Sequence, residues 1–284
     1  MATILITGGA GNIGSALAAR LAEHPEHQIV IIDNLSTGSL QKVPKSERIR
    51  FIKADINAYH DIVPVFGRFD FDYVFHFAAV VGVKRTLEHP IAVLNDIEGI
   101  KHVLSLSKNS GVKRVFYSSS SEVYGEPFEI PQNENTTPLN SRLPYAIVKN
   151  VGEAFFRSYQ KEYGLPYTIF RFFNTYGPNQ SDDFVIPRFL KAALHHQPIQ
   201  IHGDGLQTRS FCYIDDTIDT CLKTLMNDRY KNSILNVGND KEMTILELAQ
   251  RVIDLTDSNS EIIHLPALKE GDMRRRCPDV SKMK

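Results

Sequence analysis

Ile4-Leu5-Ile6-Thr7-Gly8-Gly9-Ala10-Gly11-Asn12-Ile13-Gly14 decides the fold. An apolar run of strand length stops at a glycine cluster, and Ile13, Leu17 and Leu21 then recur at helical spacing. Glycines at such a turn permit tight backbone geometry and close approach of a ligand. The free N–H groups and the dipole at the start of the following helix offset phosphate charge. Gly8, Gly11, Asn12 and Ile13 are therefore candidates to hold a pyrophosphate. A glycine pattern alone occurs in many proteins, and the strand before it and helix after it are the context that gives it meaning.

Working outward, strands are expected at Thr3–Thr7, Gln28–Asp33, Ile49–Lys53, Tyr73–Phe77, Val112–Ser118 and Tyr167–Phe172, with helix-length amphipathic stretches between them. Near-continuous apolar strands alternating with helices imply a parallel sheet covered on both faces, a doubly wound α/β architecture. After Asn174 the rhythm changes. Pro178, Pro187 and Pro198 punctuate it, Gly203-Asp204-Gly205 marks a turn, and shorter helices are expected around Phe184–His195 and Thr244–Leu255. The expected division is residues 1–173 as a cofactor-binding domain and 174–284 as a smaller substrate-binding region, with a helix near 215–226 packing back on the first.

The second strand ends in Asp33, where a carboxylate can accept hydrogen bonds from both hydroxyls of a ribose. A 2′-phosphate would meet its negative charge, and no arginine follows within a few residues, so NAD is favoured over NADP. The alternative is an Asp that merely caps a loop. Asp55 after the third strand either approaches the adenine or caps the next helix.

Composition narrows the class. Thirty-two basic and thirty-three acidic residues give a formal charge of −1, which supplies no broad attraction for nucleic acid or an anionic membrane. Cys212, Cys221 and Cys277 lie far apart with no CxxC spacing, which argues against a disulfide framework and a zinc site and fits a reducing cytoplasm. The N-terminal apolar run is too short for a signal peptide, and no run reaches membrane-spanning length.

Tyr145-Ala146-Ile147-Val148-Lys149 puts a phenol and an ammonium on one face of a helix. A tyrosine with a pKa of about 10 is a poor base at neutral pH, but an adjacent lysine and a positive nicotinamide favour the phenolate. The spacing alone is more often a solvated helix face. Ser118-Ser119-Ser120-Ser121-Glu122-Val123-Tyr124-Gly125 follows a strand end, where open α/β sheets bind ligands, and a hydroxyl there can share a substrate proton with Tyr145.

Together these motifs resemble the extended short-chain dehydrogenase/reductases of the NAD-dependent epimerase/dehydratase family. The likeness covers essentially the whole chain: TGGAGNIG at 7–14, DNLSTG at 33–38, HFAA at 76–79, SSSSEVYG at 118–125, YAIVK at 145–149, RFFNTYGP at 171–178 and GDGLQTRSF at 203–211. The resemblance implies a Rossmann fold and NAD as cofactor. It adds Asn34, Ser36, Thr37, Gly38, Ile56, Phe77, Ala78, Ala79, Asn95, Ser118 and Phe172 to the cofactor site. It makes Tyr145 the base, Lys149 its electrostatic partner and ribose anchor, and Ser120 the hydroxyl that orients the proton. Asn174, Arg209 and one arginine of Arg274-Arg275-Arg276, taken as Arg274, are implied to hold a nucleotide diphosphate, and Ile201 to pack on the base. Arginine suits phosphate by its bidentate fork, although a triplet of arginines also suits a solvated surface.

The implied common step is oxidation at C4 of a nucleotide sugar, UDP being the nucleotide by resemblance. Three fates of the ketone then divide the family: epimerisation, decarboxylation of a uronate, and loss of water. Glu122 stands where typical 4-epimerases carry a small or hydroxyl residue and where UDP-glucuronate decarboxylases and GDP-mannose dehydratases carry glutamate. The dTDP-glucose dehydratases use an Asp-Glu pair, whose first position is Ser121 here. HFAAVVGVKRT at 76–86 resembles the epimerases, and GDMRRRCPDVSKMK at 271–284 resembles epimerases and decarboxylases alike. The sequence reading favours a UDP-sugar 4-epimerase, with decarboxylase second and dehydratase third. Glu122 is alternatively structural, bonding a backbone turn. A different class, a sensor that binds NAD and nucleotide sugar without turnover, is opposed by the intact Ser120, Tyr145 and Lys149. Members of this family usually dimerise through helices here expected at Ile91–Asn109 and Tyr145–Tyr163, and usually continue past this segment with a last strand and helix.

Overall fold

The computed structural model describes residues 1–268 and 273–284. Its strands are β1 (Ala2–Thr7), β2 (His27–Asp33), β3 (Ile49–Lys53), β4 (Tyr73–His76), β5 (Arg114–Ser120), β6 (Tyr167–Phe172), β7 (Thr175–Tyr176), β8 (Ile199–His202), β9 (Thr208–Ser210), β10 (Cys212–Tyr213), β11 (Ser233–Val237), β12 (Glu242–Thr244) and β13 (Ile262–Leu265). Its α-helices are α1 (Asn12–Ala22), α2 (Tyr59–Arg68), α3 (Val83–Glu88), α4 (Pro90–Asn109), α5 (Pro144–Tyr163), α6 (Val185–Leu194), α7 (Ile214–Met226) and α8 (Ile245–Thr256).

Seven strands form one sheet in the order β11-β6-β5-β4-β1-β2-β3, and every neighbouring pair runs parallel. The period of two in β1 explains how it is covered on both faces. Ile4 and Ile6 pack with Leu17 and Leu21 of α1, whereas Leu5 points the other way into a core with Val93, Val103 and Leu104 of α4. Each of these side chains is almost fully buried, and removing such a side chain from water contributes about 1.5–3 kcal/mol. The sheet is the doubly wound α/β arrangement that the alternation of elements predicts.

Chain order reverses between β1 and β4, so the loops after β1, β2, β4, β5 and β6 open into one crevice at the carboxyl ends of the strands. The sequence reading returns only the helix near 215–226 to this unit. The structure returns β11 as well, paired to β6 from Ser233–Thr168 through Val237–Phe172. Its five residues Ser233-Ile234-Leu235-Asn236-Val237 are too short to stand out beside the helices around them.

The remaining residues build a small second core of Phe189, Ala193, Ile199, Ile201, Ile245, Leu248, Ala249 and Val252. α8 is started by a capping box in which Thr244 and Glu247 satisfy each other's backbone N–H groups.

Candidate active site

The glycine turn leaves a helix start with nothing of its own to cap it. α1 has no side-chain cap and no acidic residue in its first turn, so its leading N–H groups point at open cleft. Gly8 sits at φ +70°, and a Cβ there would stand 2.6 Å from the Ala78 nitrogen; a Cβ on Gly14 would collide with the Gly8 carbonyl. The chain therefore presses glycine backbone against the crevice floor, a cradle that fits a pyrophosphate. At the end of β2, Asp33 is buried and accepts the Ala10 N–H at 3.0 Å on one oxygen and the Leu35 N–H at 2.8 Å on the other. A carboxylate has about four lone-pair sites, so both oxygens retain one for a ribose hydroxyl. The residues present fit a dinucleotide.

Gly8, Gly11, Asn12, Ile13, Asp33, Asn34, Ser36, Thr37, Asp55, Ile56, Phe77, Ala78, Ala79, Ser118 and Phe172 all line one cleft of about 350 Å³. Gly38 does not line it; a Cβ on Gly38 would stand 2.8 Å from Asp33 Oδ1, so it supports that carboxylate from behind. Asn95 is a correction. It faces solvent on α4, and the next residue, Asp96, turns into the cleft. Neighbouring residues on a helix lie about 100° apart, so a register error of one exchanges the wet and dry faces.

Pro144 opens α5 at its first turn, and Gly164, left-handed at φ +71°, closes it. The helix carries Tyr145 and Lys149 on the face turned to β5. Lys149 is 3% exposed; Nζ donates to the Ser118 carbonyl at 2.6 Å and to its hydroxyl at 3.3 Å, and stands 5.7 Å from the centre of the Tyr145 ring. Burial pushes the ammonium pKa down to about 8, with Asp96 opposing. Tyr145 is partly open to the cleft. Its phenol is pushed up by burial and by the Glu122 carboxylate, while a hydrogen bond from Ser120 pulls it back; Asp96 raises it and Arg276 lowers it. Ser120 also accepts the Glu122 N–H at 3.2 Å, which fixes the turn carrying Glu122. His76, behind Lys149, is fully buried and held neutral, its pKa down to about 3 by desolvation and then by Lys149.

At the far end of the cleft, Arg276 reaches the Glu122 carboxylate at 3.5 Å. Its other contact is weak: Nη2 meets the Met273 sulfur at 3.1 Å. Nε has no hydrogen-bond partner among the described residues, although the side chain is 6% exposed. A guanidinium carries five N–H donors, and this one faces the cleft with most of them unused, an arrangement suited to an anion.

Of the residues implied to hold substrate, only Asn174 lines the cleft; its Nδ2 donates to the Ser210 carbonyl at 3.1 Å. Arg274 is exposed, and its backbone N–H donates to Glu126 at 3.3 Å. Arg276 takes the inward place: Arg274 and Arg275 are exposed while Met273 and Arg276 are buried, in an irregular segment with no strand or helix period. Arg209 is buried and pinned on the carbonyls of Thr208 and Met273, both at 2.7 Å, where it anchors the C-terminal segment rather than facing the cleft. Ile201 is 1% exposed in the second core, away from the cleft. The first two residues of the 271–284 motif lie outside the described residues. Sequence reasoning missed Asn57, Val80, Arg85, Thr86, Gln180 and Asp183, which line the cleft; Arg85 and Thr86 stand on the short α3 and the others on loops that have no periodicity to read. Among the described residues no helix is long and apolar enough to cross a membrane.

The model of the NAD dependent epimerase/dehydratase family matches residues 4–238. A UDP-N-acetyl-α-D-glucosaminuronate decarboxylase of Bacillus cytotoxicus is 36% identical over 303 aligned positions, covering 99% of this chain and 90% of the relative. Among solved structures, the UDP-glucose 4-epimerase of Thermotoga maritima with UDP-glucose is similar at TM-score 0.93 and 30% identity, with 99% and 90% of the two chains covered. The UDP-glucuronic acid 4-epimerase of Bacillus cereus, in complex with UDP-glucuronic acid and NAD, is similar at TM-score 0.90 and 30% identity, with 99% and 91% covered. These relatives use one scaffold for different fates of a sugar, and NAD is the cofactor they share by family. With the match running from β1 through β11, the chain belongs to the NAD dependent epimerase/dehydratase family.

Proposed function

We propose that this chain oxidises a UDP-linked uronic acid at C4 and decarboxylates it, the UDP-sugar 4-epimerase reading standing second. The observation that carries this is Arg276, a buried guanidinium with unused donors in the cleft beside Glu122. Glu122 meets one edge of this guanidinium, and the donors left over suit a further anion; a uronate offers its carboxylate there in addition to the diphosphate that every UDP-sugar carries. The uronate decarboxylase among the relatives supports the same choice.

Bound NAD supplies a hydride acceptor for C4 and later returns the hydride. Tyr145 takes the proton of the C4 hydroxyl, Ser120 aligns that proton, and Lys149 stabilises the phenolate. The product of this step is a β-keto acid. Its C5–C6 electron pair moves toward the C4 carbonyl as CO₂ leaves, and Tyr145 and Ser120 stabilise the developing enolate oxygen. Arg276 holds the carboxylate so that this bond stands across the carbonyl plane. C5 takes up one proton from solvent through a water that the Glu122 carboxylate is placed to orient, which restores the C4 ketone. Tyr145 finally returns its proton to the C4 oxygen.

The cofactor is taken to lie along residues 1–173 with β11 and the sugar nucleotide against 174–284. Two copies are taken to pair through α4 and α5, where Ile91 and Ile147 are exposed. Sedimentation at micromolar concentration checks the pairing.

The epimerase reading has its own support, since solved structures of this shape include 4-epimerases, one of them of a uronate. NMR of the products from UDP-glucuronate, UDP-N-acetylglucosaminuronate, UDP-glucose and UDP-N-acetylglucosamine separates the two. Release of CO₂ with a pentose product supports decarboxylation. A C4-inverted product that keeps C6 overturns it.

A further inference from the structure

Asn236 stands on β11 opposite Arg171 of β6 and is fully buried. Its Oδ1 accepts the Tyr124 hydroxyl at 2.7 Å, and its Nδ2 donates to the Gln132 carbonyl at 2.8 Å and to the Asp279 carbonyl at 3.3 Å. Its backbone N–H donates to Glu134 Oε1 at 2.8 Å. The side-chain amide has two N–H groups and an acceptor oxygen, and all three are engaged on segments far apart in the chain.

Two of those segments carry the charged contact of the cleft. Tyr124 ends the short helical turn Ser121–Tyr124 that holds Glu122, and its hydroxyl also receives Arg171 Nη1 at 2.8 Å. Asp279 lies just beyond Arg276, and Gln132 clips that stretch twice: its N–H donates to the Cys277 carbonyl at 2.8 Å, and its carbonyl accepts the Asp279 N–H at 2.8 Å. Residues 273–284 belong to no strand or helix, so their place against the Glu122 turn depends on clips of this kind. Movement of either segment would leave a buried polar group of Asn236 unpaired, a cost that opposes drift.

We propose that Asn236 is a positioning residue for the Arg276–Glu122 contact: one buried amide holds the turn that carries Glu122 and the segment that carries Arg276 in mutual register. Its bearing on substrate rests on the reading that Arg276 receives the sugar carboxylate. Asn236 does not line the cleft, so it acts only through the segments it joins. A misplacement of about 1 Å in a closed site is worth up to about a hundredfold in rate, so acid recognition depends on a residue that never meets the acid.

The test is a double-substitution cycle in the NAD-bound protein, read as kcat/KM for UDP-glucuronate beside the inhibition constant of UDP. Asn236→Ala is expected to lower kcat/KM by about tenfold to a hundredfold, mostly through KM, with inhibition by UDP unchanged. Tyr124→Phe keeps the buried ring beside Phe173, removes only the hydroxyl, and is expected to act in the same sense by less; it enters the same cycle should Asn236→Ala fold poorly. With Arg276→Met already present, either substitution adds little further loss, because the side chain it positions is gone. A loss of the same size with and without Arg276 overturns the proposal, since a general packing defect adds independently. If the unaltered protein turns over no UDP-glucuronate, the functional reading fails by itself, and amide hydrogen exchange decides the role of Asn236. The Gly125 and Asp279 N–H groups, bonded to the Glu122 and Gln132 carbonyls, then exchange faster together in Asn236→Ala; either one unchanged overturns the proposal.

Discussion

Arg276 and Glu122 meet at 3.5 Å across 154 residues of sequence, one on the C-terminal segment and the other on the turn that follows β5. On the proposed reading, the contact joins the anion site to the residues of the proton chemistry.

Replacing Arg276 by Met removes the carboxylate partner and leaves Glu122 alone in the cleft. Turnover of UDP-glucuronate is expected to fall at least about a hundredfold, the scale of one lost charge-assisted contact in a closed site, while NAD binding followed by fluorescence is unchanged. Arg276→Lys rescues little, because an ammonium cannot reproduce the fork. Equal losses in NAD affinity would count against the assignment.

Tyr145→Phe keeps the ring over Lys149 and removes the proton acceptor. The burst of absorbance at 340 nm on mixing with substrate is expected to drop by about 10²–10⁴-fold, the usual contribution of a placed base, with substrate still bound in equilibrium dialysis. Near-normal bursts would remove Tyr145 from the mechanism.

The depressed pKa of Lys149 fixes the sign of an alkaline effect on stability. Its proton is lost in the folded protein near pH 8 but in the unfolded chain only near 10.5. Between those values the unfolded state binds more protons, so this group makes the fold more stable as pH rises. Activity runs the other way, falling above about pH 8 as the ammonium discharges. Urea melts at pH 7.5 and 9.5, compared between the unaltered protein and Lys149→Met, isolate this contribution; the difference between the two proteins should change with pH in that direction.

Behind the cleft, Glu153 and Arg171 form a two-pronged pair at 2.9 and 2.8 Å, with side chains 0% and 3% exposed. Ser119 donates to the same carboxylate at 2.6 Å, and Arg171 Nη1 donates to the Tyr124 hydroxyl at 2.8 Å. Glu153→Ala leaves a buried guanidinium without its partner, and a loss of about 3–5 kcal/mol is expected in chemical denaturation.

Gly8→Ala is expected to destabilise the apoprotein by about 1–3 kcal/mol, since it combines a left-handed backbone with overpacking against Ala78. Calorimetry without cofactor measures this. A variant as stable as the parent would show that the turn relaxes.

Much of the fold was legible because strands buried on both faces are apolar throughout and their helices are amphipathic. The glycine turn, Asp33, Tyr145 and Lys149 stood out for a related reason: each sits in or directly beside a regular element whose period fixes where its side chain points. Asn95 was read for Asp96 because the helix was right and its phase was off by one. Arg274 was read for Arg276 because an extended segment held by Arg209 and by Gln132 has no period of its own; the Gln132 N–H bonds the Cys277 carbonyl at 2.8 Å. Ile201 was read as a base contact because an apolar residue beside a turn gives no sign of which side of its strand is dry.

The C-terminal segment is stitched down by residues that touch neither cofactor nor sugar. Asn133 donates to Asp279 at 2.9 Å, the Asp279 N–H returns to the Gln132 carbonyl at 2.8 Å, and Asn236 donates to the Gln132 carbonyl at 2.8 Å. On the proposed reading, acid recognition by Arg276 is thereby carried on a segment clipped to the sheet by backbone and amide contacts, which meets the residues of the oxidation step through Glu122. Exchanging residues 273–284 and the matching 126–137 loop between relatives should transplant the acid-binding preference as one unit.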